Sequence, residues 1–501
     1  MSATNDSSGR NILLTIGQYG FPIIGGAIFA LILYKLWSLP TRFLIAISIG
    51  MILVSVSAFF IKRLSDFLLV AFFFSIPFTA FIKSLFFLSQ GYDERMLGIL
   101  LYSGVIGVGL PDIILWALYA TWFARIFITH QSPLPSLEKN DYLALLLVLA
   151  YALSIPGTSD ATASIFALGY LLRFVLAYFY VSRNFDARHI KWLFIAFFTI
   201  IFFESALALF QFGTGKLIGL AMDRGAGVRL DQQYAVPGIE HRNRATGTSY
   251  ESHTFGLIMT MMVQYAFVMM ASYSQRGIYR LAATVAFALA MIAILVSFSR
   301  SAWMSCGIAL LVSWGTHIFV WRERRIIVPS MFVGMSMLLL SPWILQIIVE
   351  RFATAGGDLL QARFDQYPVA WDIWTDHFLF GYGVGNYMDA LETYNMEGVI
   401  ELPVHNTFLW LGAETGLLGV IAFFGLALAA MSRMWKIVKL GRDPISRLAL
   451  AVFCSLLAYL LDGLTNPLYR EPGIYMMFWM AIAISLAVVR INRQETAAAD
   501  G

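Results

Sequence analysis

Residues 280–320 read RLAATVAFALAMIAILVSFSRSAWMSCGIALLVSWGTHIFV, and this stretch decides the fold. Two apolar runs, 280–297 and 302–320, flank a tight polar hairpin around Ser297-Phe298-Ser299-Arg300-Ser301. Each run is continuous in its apolar character. A helix of roughly 18–25 such residues crosses about 30 Å of hydrocarbon. A membrane barrel would show polar and apolar residues in alternation instead.

The same pattern recurs outward in both directions. Runs at 19–37, 43–61, 66–88, 98–128, 141–156, 163–182, 190–212, 253–272, 326–347, 406–431, 448–465 and 472–490 bring the total to about 14. The run 98–128 exceeds one crossing, and Gly107, Gly109 and Pro111 are expected to break it and leave 111–128 as the membrane helix. The first run is too long for a signal-peptide core and lacks a small-x-small cleavage site, so it is expected to stay as a span. The expectation is an all-α polytopic membrane protein of about 12–14 transmembrane helices, forming one integral membrane domain over 1–501. Composition agrees: 59% of the 501 residues are hydrophobic and 13% charged. Soluble domains lie nearer 45–50% and 25%.

Orientation follows from the short loops, because the cytoplasmic side carries the lysine and arginine excess. One set of loops and ends holds about 20 of the 34 basic residues, among them Arg183, Arg188, Arg322, Arg433, Arg447 and Arg490. Both termini therefore belong inside. Two long segments, 213–252 and 348–405, fall outside as a first outer loop and a large outer (periplasmic) loop. Function on a rigid scaffold usually sits in such loops. The net charge of +4 follows this topology and does not indicate nucleic-acid binding. Cys306 and Cys454 both lie within spans, which argues against a disulfide framework. No Cys/His cluster has metal spacing, so neither metal nor cofactor is expected.

Three groups stand at the outer boundary. His405 precedes Asn406 where the large loop enters a helix, and Asn406 is a good N-cap. A histidine there feels the positive end of the helix dipole, which favours neutral imidazole and suits a general base. A capping or interfacial hydrogen bond is the plainer alternative. Arg300, among serines in its hairpin, fits phosphate oxygens or lipid headgroups alike. Arg242 and Arg244, before Thr246-Gly247-Thr248, make an anion site or a solvated basic loop. Together, two guanidinium groups and a neutral base suit holding a lipid diphosphate while an attacking hydroxyl is deprotonated. Arg363 joins Asn406 and Glu414 as a supporting candidate. Glu414 lies nine residues past His405, on the opposite helix face unless Gly412 or Gly416 disrupts the helix. Mid-span Arg173 is matched by depth to Glu204, as a structural ion pair. Gly381-Tyr382-Gly383-Val384-Gly385 lacks the βαβ context of a dinucleotide loop. Tyr367, Trp371, Trp374, Tyr382 and Tyr387 suit sugar stacking or an interfacial belt.

In order, Arg244-Ala-Thr-Gly247-Thr, Ser299-Arg300-Ser-Ala, and Phe380-Gly381-Tyr-Gly383-Val-Gly385-Asn386 followed by His405-Asn406-Thr-Phe-Leu409 and Glu414-Thr-Gly416-Leu-Leu-Gly419 resemble the O-antigen ligase and O-antigen polymerase superfamily of bacterial membrane glycosyltransferases. The resemblance spans roughly 240–420. It implies a GT-C-like helical fold in the bacterial inner membrane, with an undecaprenyl-diphosphate-linked glycan as donor on the periplasmic face. It implies that His405 activates the acceptor hydroxyl, that Arg244 and Arg300 bind the diphosphate, and that no metal takes part. Ser301 stands where many relatives carry glycine. The span count and the long 348–405 loop lean towards a polymerase extending lipid-linked repeat units. An O-antigen ligase acting on lipid A–core, a protein O-oligosaccharyltransferase and, from another class, a flippase of lipid-linked sugars are the alternatives. The implied partners are the lipid-linked glycan, an acceptor glycolipid and membrane lipids, with a chain-length regulator protein admitted as a further one.

Overall fold

The computed structural model describes residues 64–77, 83–87, 105–129, 137–215, 244–249, 251–272, 277–323, 357–394, 404–441 and 444–500. The chain divides into two compact units, 1–67 and 68–501, and the helix bundle belongs to the second.

Main chain in an apolar run has no water to bond, so it bonds to itself as helix. Helix α1 (Leu64–Ser75) stops just ahead of Ile76-Pro77, where the proline disfavours helical geometry in the residue before it. The expected span 66–88 is therefore cut short. Lys83–Phe87 (β1) pairs antiparallel with Val105–Val108 (β2), Lys83 opposite Val108, as a two-stranded ribbon; the other regular elements among the described residues are helical. Helix α2 (Leu110–Thr129) begins at the expected break. There the Asp112 carboxylate accepts from the Gly109 amide at 2.8 Å.

Nine helices among the described residues are long and apolar enough to cross a membrane, and they match nine of the expected spans one for one. They are α3 (Lys139–Ser154), α4 (Ala161–Asn184), α5 (Ala187–Thr214), α6 (Ser252–Met270), α7 (Gly277–Val296), α8 (Arg300–Gly315, prolonged by a π turn to Val320) and three more after two helices that are not of this kind. Those two are α9 (Gly357–Asp376), which is more polar, and the short α10 (Tyr387–Thr393). Then come α11 (Thr407–Val438), α12 (Ile445–Asp462) and α13 (Pro472–Asp500). The expected spans 19–37, 43–61 and 326–347 lie outside the described residues.

Burial sorts the helices. The membrane window of α13 is 89% buried and that of α6 83%, against 28% for α7, so α13 and α6 sit at the centre and α7 at the rim. Rings lock the middle: Phe423 of α11 stacks on Phe478 of α13 with centroids 4.8 Å apart, and Tyr459 of α12 lies 4.6 Å from Phe478.

Short connections make neighbours antiparallel, so alternate helix ends collect at two levels. At one level, Arg183 on α4 pairs with Asp141 on α3, Arg447 on α12 pairs with Glu323 at 2.6 Å, and Arg490 on α13 donates to the carbonyl of Ser182 at 2.7 Å. This is the end that carries the basic loops. The candidate residues His405, Arg300 and Arg244 belong to the other.

Arg173 does not pair with Glu204. Its guanidinium meets Asp112 of α2 at 3.3 Å and lies over the Tyr170 ring. Matching depth along a helix does not fix which side of it a residue faces, and Arg173 faces α2. Cys306 and Cys454 are free and buried, as their positions within spans predicted.

Candidate active site

The first element is the turn 244–249. Sequence alone left it open as a solvated loop, but Ala245 through Ser249 are buried. Helix α5 holds it. Gln211 accepts from the amides of Thr246 (3.0 Å) and Gly247 (2.9 Å) and donates to the Gly247 carbonyl (2.9 Å). Glu204 accepts from the Thr248 amide at 3.0 Å and from its hydroxyl. The Thr-Gly-Thr turn is thus the partner of Glu204. Gly247 has φ +56°, and a Cβ there would lie 2.2 Å from Glu204 Oε2, so only glycine fits. Arg244 enters this turn, and the next amide, Ala245, donates to the Val296 carbonyl at 3.0 Å. That bond sets the Arg244 segment against the hairpin that carries Arg300.

The hairpin itself is short and tense. Phe298 takes φ +51°, unusual for a bulky residue, and its ring is buried against Phe212 and Trp303. Ser299 caps α8, its hydroxyl accepting from the Ala302 amide at 3.4 Å. Arg300 is therefore the first residue of α8, at the positive end of that helix. Gly256 of α6 packs directly on this turn; a Cβ there would meet Ser297 Oγ at 2.9 Å.

Asn406 is the N-cap of α11, as expected, accepting from the amides of Phe408 (2.9 Å) and Leu409 (3.1 Å). His405 stands just ahead of it. Its Nδ1 lies 3.2 Å from Oε1 of Gln366, a buried residue of α9. An amide oxygen only accepts, so Nδ1 carries the proton and donates. In the neutral ring the lone pair is then on Nε2, which is the tautomer a general base at Nε2 requires. Tyr367, next on α9, donates to the His405 carbonyl at 3.3 Å.

The element that joins these pieces is one that sequence reasoning missed: the turn 462–471 between α12 and α13. The Thr407 amide donates to the Gly463 carbonyl at 2.8 Å, and its hydroxyl to the Asn466 carbonyl at 2.7 Å. The Asn466 amide donates to Ser301 Oγ at 2.8 Å and to Asp462 Oδ1 at 2.6 Å. Asn466 thus ties the start of α11 to the start of α8. On the same level, Glu251 Oε2 and His253 Nδ1 form an ion pair at 2.7 Å at the start of α6. Glu471, just ahead of α13, accepts from Thr254 at 3.4 Å. Burial, then the charge of Glu251, pushes the Glu471 carboxyl up to about 7. An acid and a histidine two residues apart at a helix start was the readable signal for this pair.

Glu414 accepts from the hydroxyl of Tyr469 in the same turn. Two residues on, α11 breaks at Gly416 (φ +65°, ψ −164°). The carbonyls exposed by the break are taken by the glycine-rich segment. Tyr382 and Gly383 donate to the carbonyls of Ala413 (2.8 Å) and Glu414 (3.1 Å), while Leu417 donates to Phe378 (2.8 Å). Gly381-Tyr-Gly-Val-Gly385 is thus a wedge docked into a helix, with Asn386 bonded to Ser159 and Asp160 ahead of α4. Of the aromatics, Trp374 packs on Gly412 and Tyr387 on Trp410, while Trp371 stays exposed. Arg242 and the side chain of Arg363 lie outside the described residues.

The starts of α6, α8, α11 and α13 therefore meet at one level of the bundle. Each brings the positive end of a helix, a setting that favours an anion. Two arginines and a histidine of defined tautomer accompany them.

Residues 285–424 match the family model described as O-antigen ligase (Wzy_C). The match contains Arg300, His405 and Glu414, while Arg244 and the turn 462–471 fall outside it. It supports a relationship at the level of the O-antigen ligase and polymerase superfamily, not to one particular member. No curated protein matches the chain. Among the described residues, no group of three or more His, Cys, Asp or Glu could hold a metal ion.

Proposed function

We propose that the protein is a metal-independent glycosyltransferase of the bacterial inner membrane, with a GT-C-like fold and its active face periplasmic. It moves a glycan from an undecaprenyl-diphosphate donor to an acceptor glycolipid, extending lipid-linked repeat units as a polymerase. The observation that carries this is that the turn 462–471 joins the Arg300 hairpin to the start of α11 beside His405, while the Arg244 turn is bonded to the end of α7 just ahead of the same hairpin, at the end of the bundle away from the basic loops.

In this reading Arg244 and Arg300 hold the diphosphate by charge-assisted hydrogen bonds, and Arg242, two residues before Arg244 in the sequence, is a further candidate for the same role. His405 Nε2 takes the proton of the acceptor hydroxyl as that oxygen bonds to the anomeric carbon. The bond from that carbon to the diphosphate breaks, and its electron pair leaves on phosphate. A diphosphate needs no acid to leave. The anomeric configuration inverts in a single displacement.

The description of the matched family favours one second reading, a ligase that joins the glycan to lipid A–core. Purified protein in bilayer discs, supplied with lipid-linked repeat units with and without lipid A–core, separates the two. A ladder without core identifies the polymerase; product only with core identifies the ligase. Translocation without product would make the protein a transporter. His405→Ala is expected to lower transfer by about 10²–10⁴-fold, the usual worth of a general base, while the protein stays folded. Full activity in that variant would remove His405 from the chemistry.

A further inference from the structure

Helix α9 carries three rows of side chains, and the transfer described above uses one of them. Gln366, Val369, Ala370 and Ile373 form a buried row, and Gln366 on it meets His405 at 3.2 Å. On the far side, roughly 180° round at helical spacing, Phe364, Pro368, Trp371 and Thr375 are all exposed. Between the two runs an exposed acidic row, Asp365, Asp372 and Asp376. Directly after the helix, Phe378, Leu379 and Phe380 are exposed as well. Single exposed apolar residues need no explanation, but large rings aligned along one helix and continued at its tip mark a contact surface.

The place where the helix ends says what touches that surface. The carbonyls of Phe378 and Leu379 accept from the Leu417 (2.8 Å) and Leu418 (3.5 Å) amides of α11. From there α11 runs on with Ile421 and Leu428 exposed, seven residues apart on one line. This stretch belongs to a helix apolar enough to cross a membrane, so side chains exposed on it face lipid. The exposed tip of α9 thus stands at the head of the lipid-facing row of α11. Trp371 lies two turns back from that tip along its own helix.

We propose that α9 is an interfacial helix, with Phe364, Trp371 and the Phe378–Phe380 tip seated in the lipid leaflet at the end of the bundle that carries His405. Aromatic rings gather where hydrocarbon meets headgroups. An amphipathic helix lies there with its apolar side roughly 5–10 Å into that boundary. Pro368 has no amide hydrogen, so the Phe364 carbonyl loses the donor that an α-helix supplies four residues on. At the boundary water can bond that carbonyl, whereas deeper hydrocarbon could not, which limits how far the helix sinks. The acidic row, about 100° round from the rings, stays in water. A glycan or a second copy of the chain could also cover exposed rings, but continuity with the lipid-facing row of α11 favours lipid. The proposal does not depend on the reaction assigned to His405. It does give α9 two contacts at once, lipid on one side and the His405 ring, through Gln366, on the other.

The test reads the rows separately, on the full chain in phosphatidylcholine bilayer discs. Phe364→Cys, Trp371→Cys and Leu379→Cys sample the apolar side, and Asp372→Cys the acidic row. Each variant carries a nitrobenzoxadiazole label on its new cysteine. Cys306 and Cys454 are buried, and the unsubstituted chain shows whether they take up label. Quenching by lipids with a nitroxide on the acyl chain is compared with quenching by iodide in the water. The label of Trp371→Cys is expected to lose most of its emission to the lipid nitroxide and little to iodide. The loss should be greater with the nitroxide near the head of the chain than near its end. The label of Asp372→Cys, one residue on, is expected to show the reverse. Trp371 also contacts the Trp374 ring, so Phe364→Cys and Leu379→Cys carry the test if Trp371→Cys folds poorly. Iodide quenching at all three apolar positions would overturn the proposal and leave the rings open to a glycan. Protection from both quenchers would overturn it in favour of a protein partner or a second copy. No transfer is measured, so loss of the polymerase reading would leave this result standing.

Discussion

The two ends of the helix bundle use charge in opposite ways. At the end with the basic loops, arginine is spent on the fold: Arg183 on Asp141, Arg447 on Glu323 and Arg490 on the last carbonyls of α4. At the other end the turns are fixed mainly by neutral amides and hydroxyls: Gln211, Ser299, Asn406, Thr407 and Asn466. The arginines there stand on turns that other residues hold. At that end these neutral groups, more than ion pairs, set the course of the main chain.

Substitutions at the two ends should therefore fail differently. The largest expected effect is Arg447→Ala. It removes the arginine from Glu323 and leaves it His317 Nε2, 3.9 Å away, and breaking a buried pair costs about 3–5 kcal/mol. Thermal unfolding in detergent should show that loss, while the surviving folded protein turns over at the wild-type rate. Arg300→Ala should do the converse. Loss of a charge-assisted contact to diphosphate is worth about 1.5–3 kcal/mol, roughly 10–100-fold in donor use, with the unfolding midpoint nearly unchanged. If Arg300→Ala unfolds the protein as Arg447→Ala does, the contrast between the two ends is wrong.

The smallest effect belongs to Glu471 and depends on pH. Its carboxyl is raised from 4.5 to about 7, so folding favours its protonated form. That contribution is complete below pH 4.5, where both states hold the proton, and is lost as pH rises through 7. Glu471→Gln stays neutral throughout. It should match the wild type in acid and outlast it above neutrality, by an increment read as the gap between their unfolding midpoints at pH 5 and pH 8.

What the sequence made legible is what depends on local chemistry. Nine continuous apolar runs became nine helices because each satisfies its own backbone, and Asn406 became a cap because capping involves only the next three residues. The sequence placed Arg300 in the hairpin ahead of the run 302–320, and that Ser299 caps α8 with Arg300 as its first residue comes from the structure. What stayed hidden is long-range. Asn466 finds Ser301 across 165 residues, and nothing in either segment announces the other. Glu204 was assigned a charge as its partner, yet it holds the main chain and hydroxyl of Thr248, because an oriented amide satisfies a buried carboxylate as an arginine does. The ribbon at 83–87 was hidden too: a short apolar run fits strand or helix alike, and only its pairing with 105–108 decides.

The wedge at Gly416 has a mechanical consequence. Gly381 and Gly416 each leave too little room for a methyl group, with main-chain atoms 2.2 and 2.3 Å from where a Cβ would stand. The segment that follows α9 is thereby riveted into α11 by four main-chain bonds. Since α9 carries Gln366 and the upper part of α11 follows His405, base and orienting amide ride on a single stiff bracket rather than on two separate arms. A load applied to the outer helix, by a lipid, a glycan or a partner protein, would swing both together and leave the 3.2 Å contact between them unaltered.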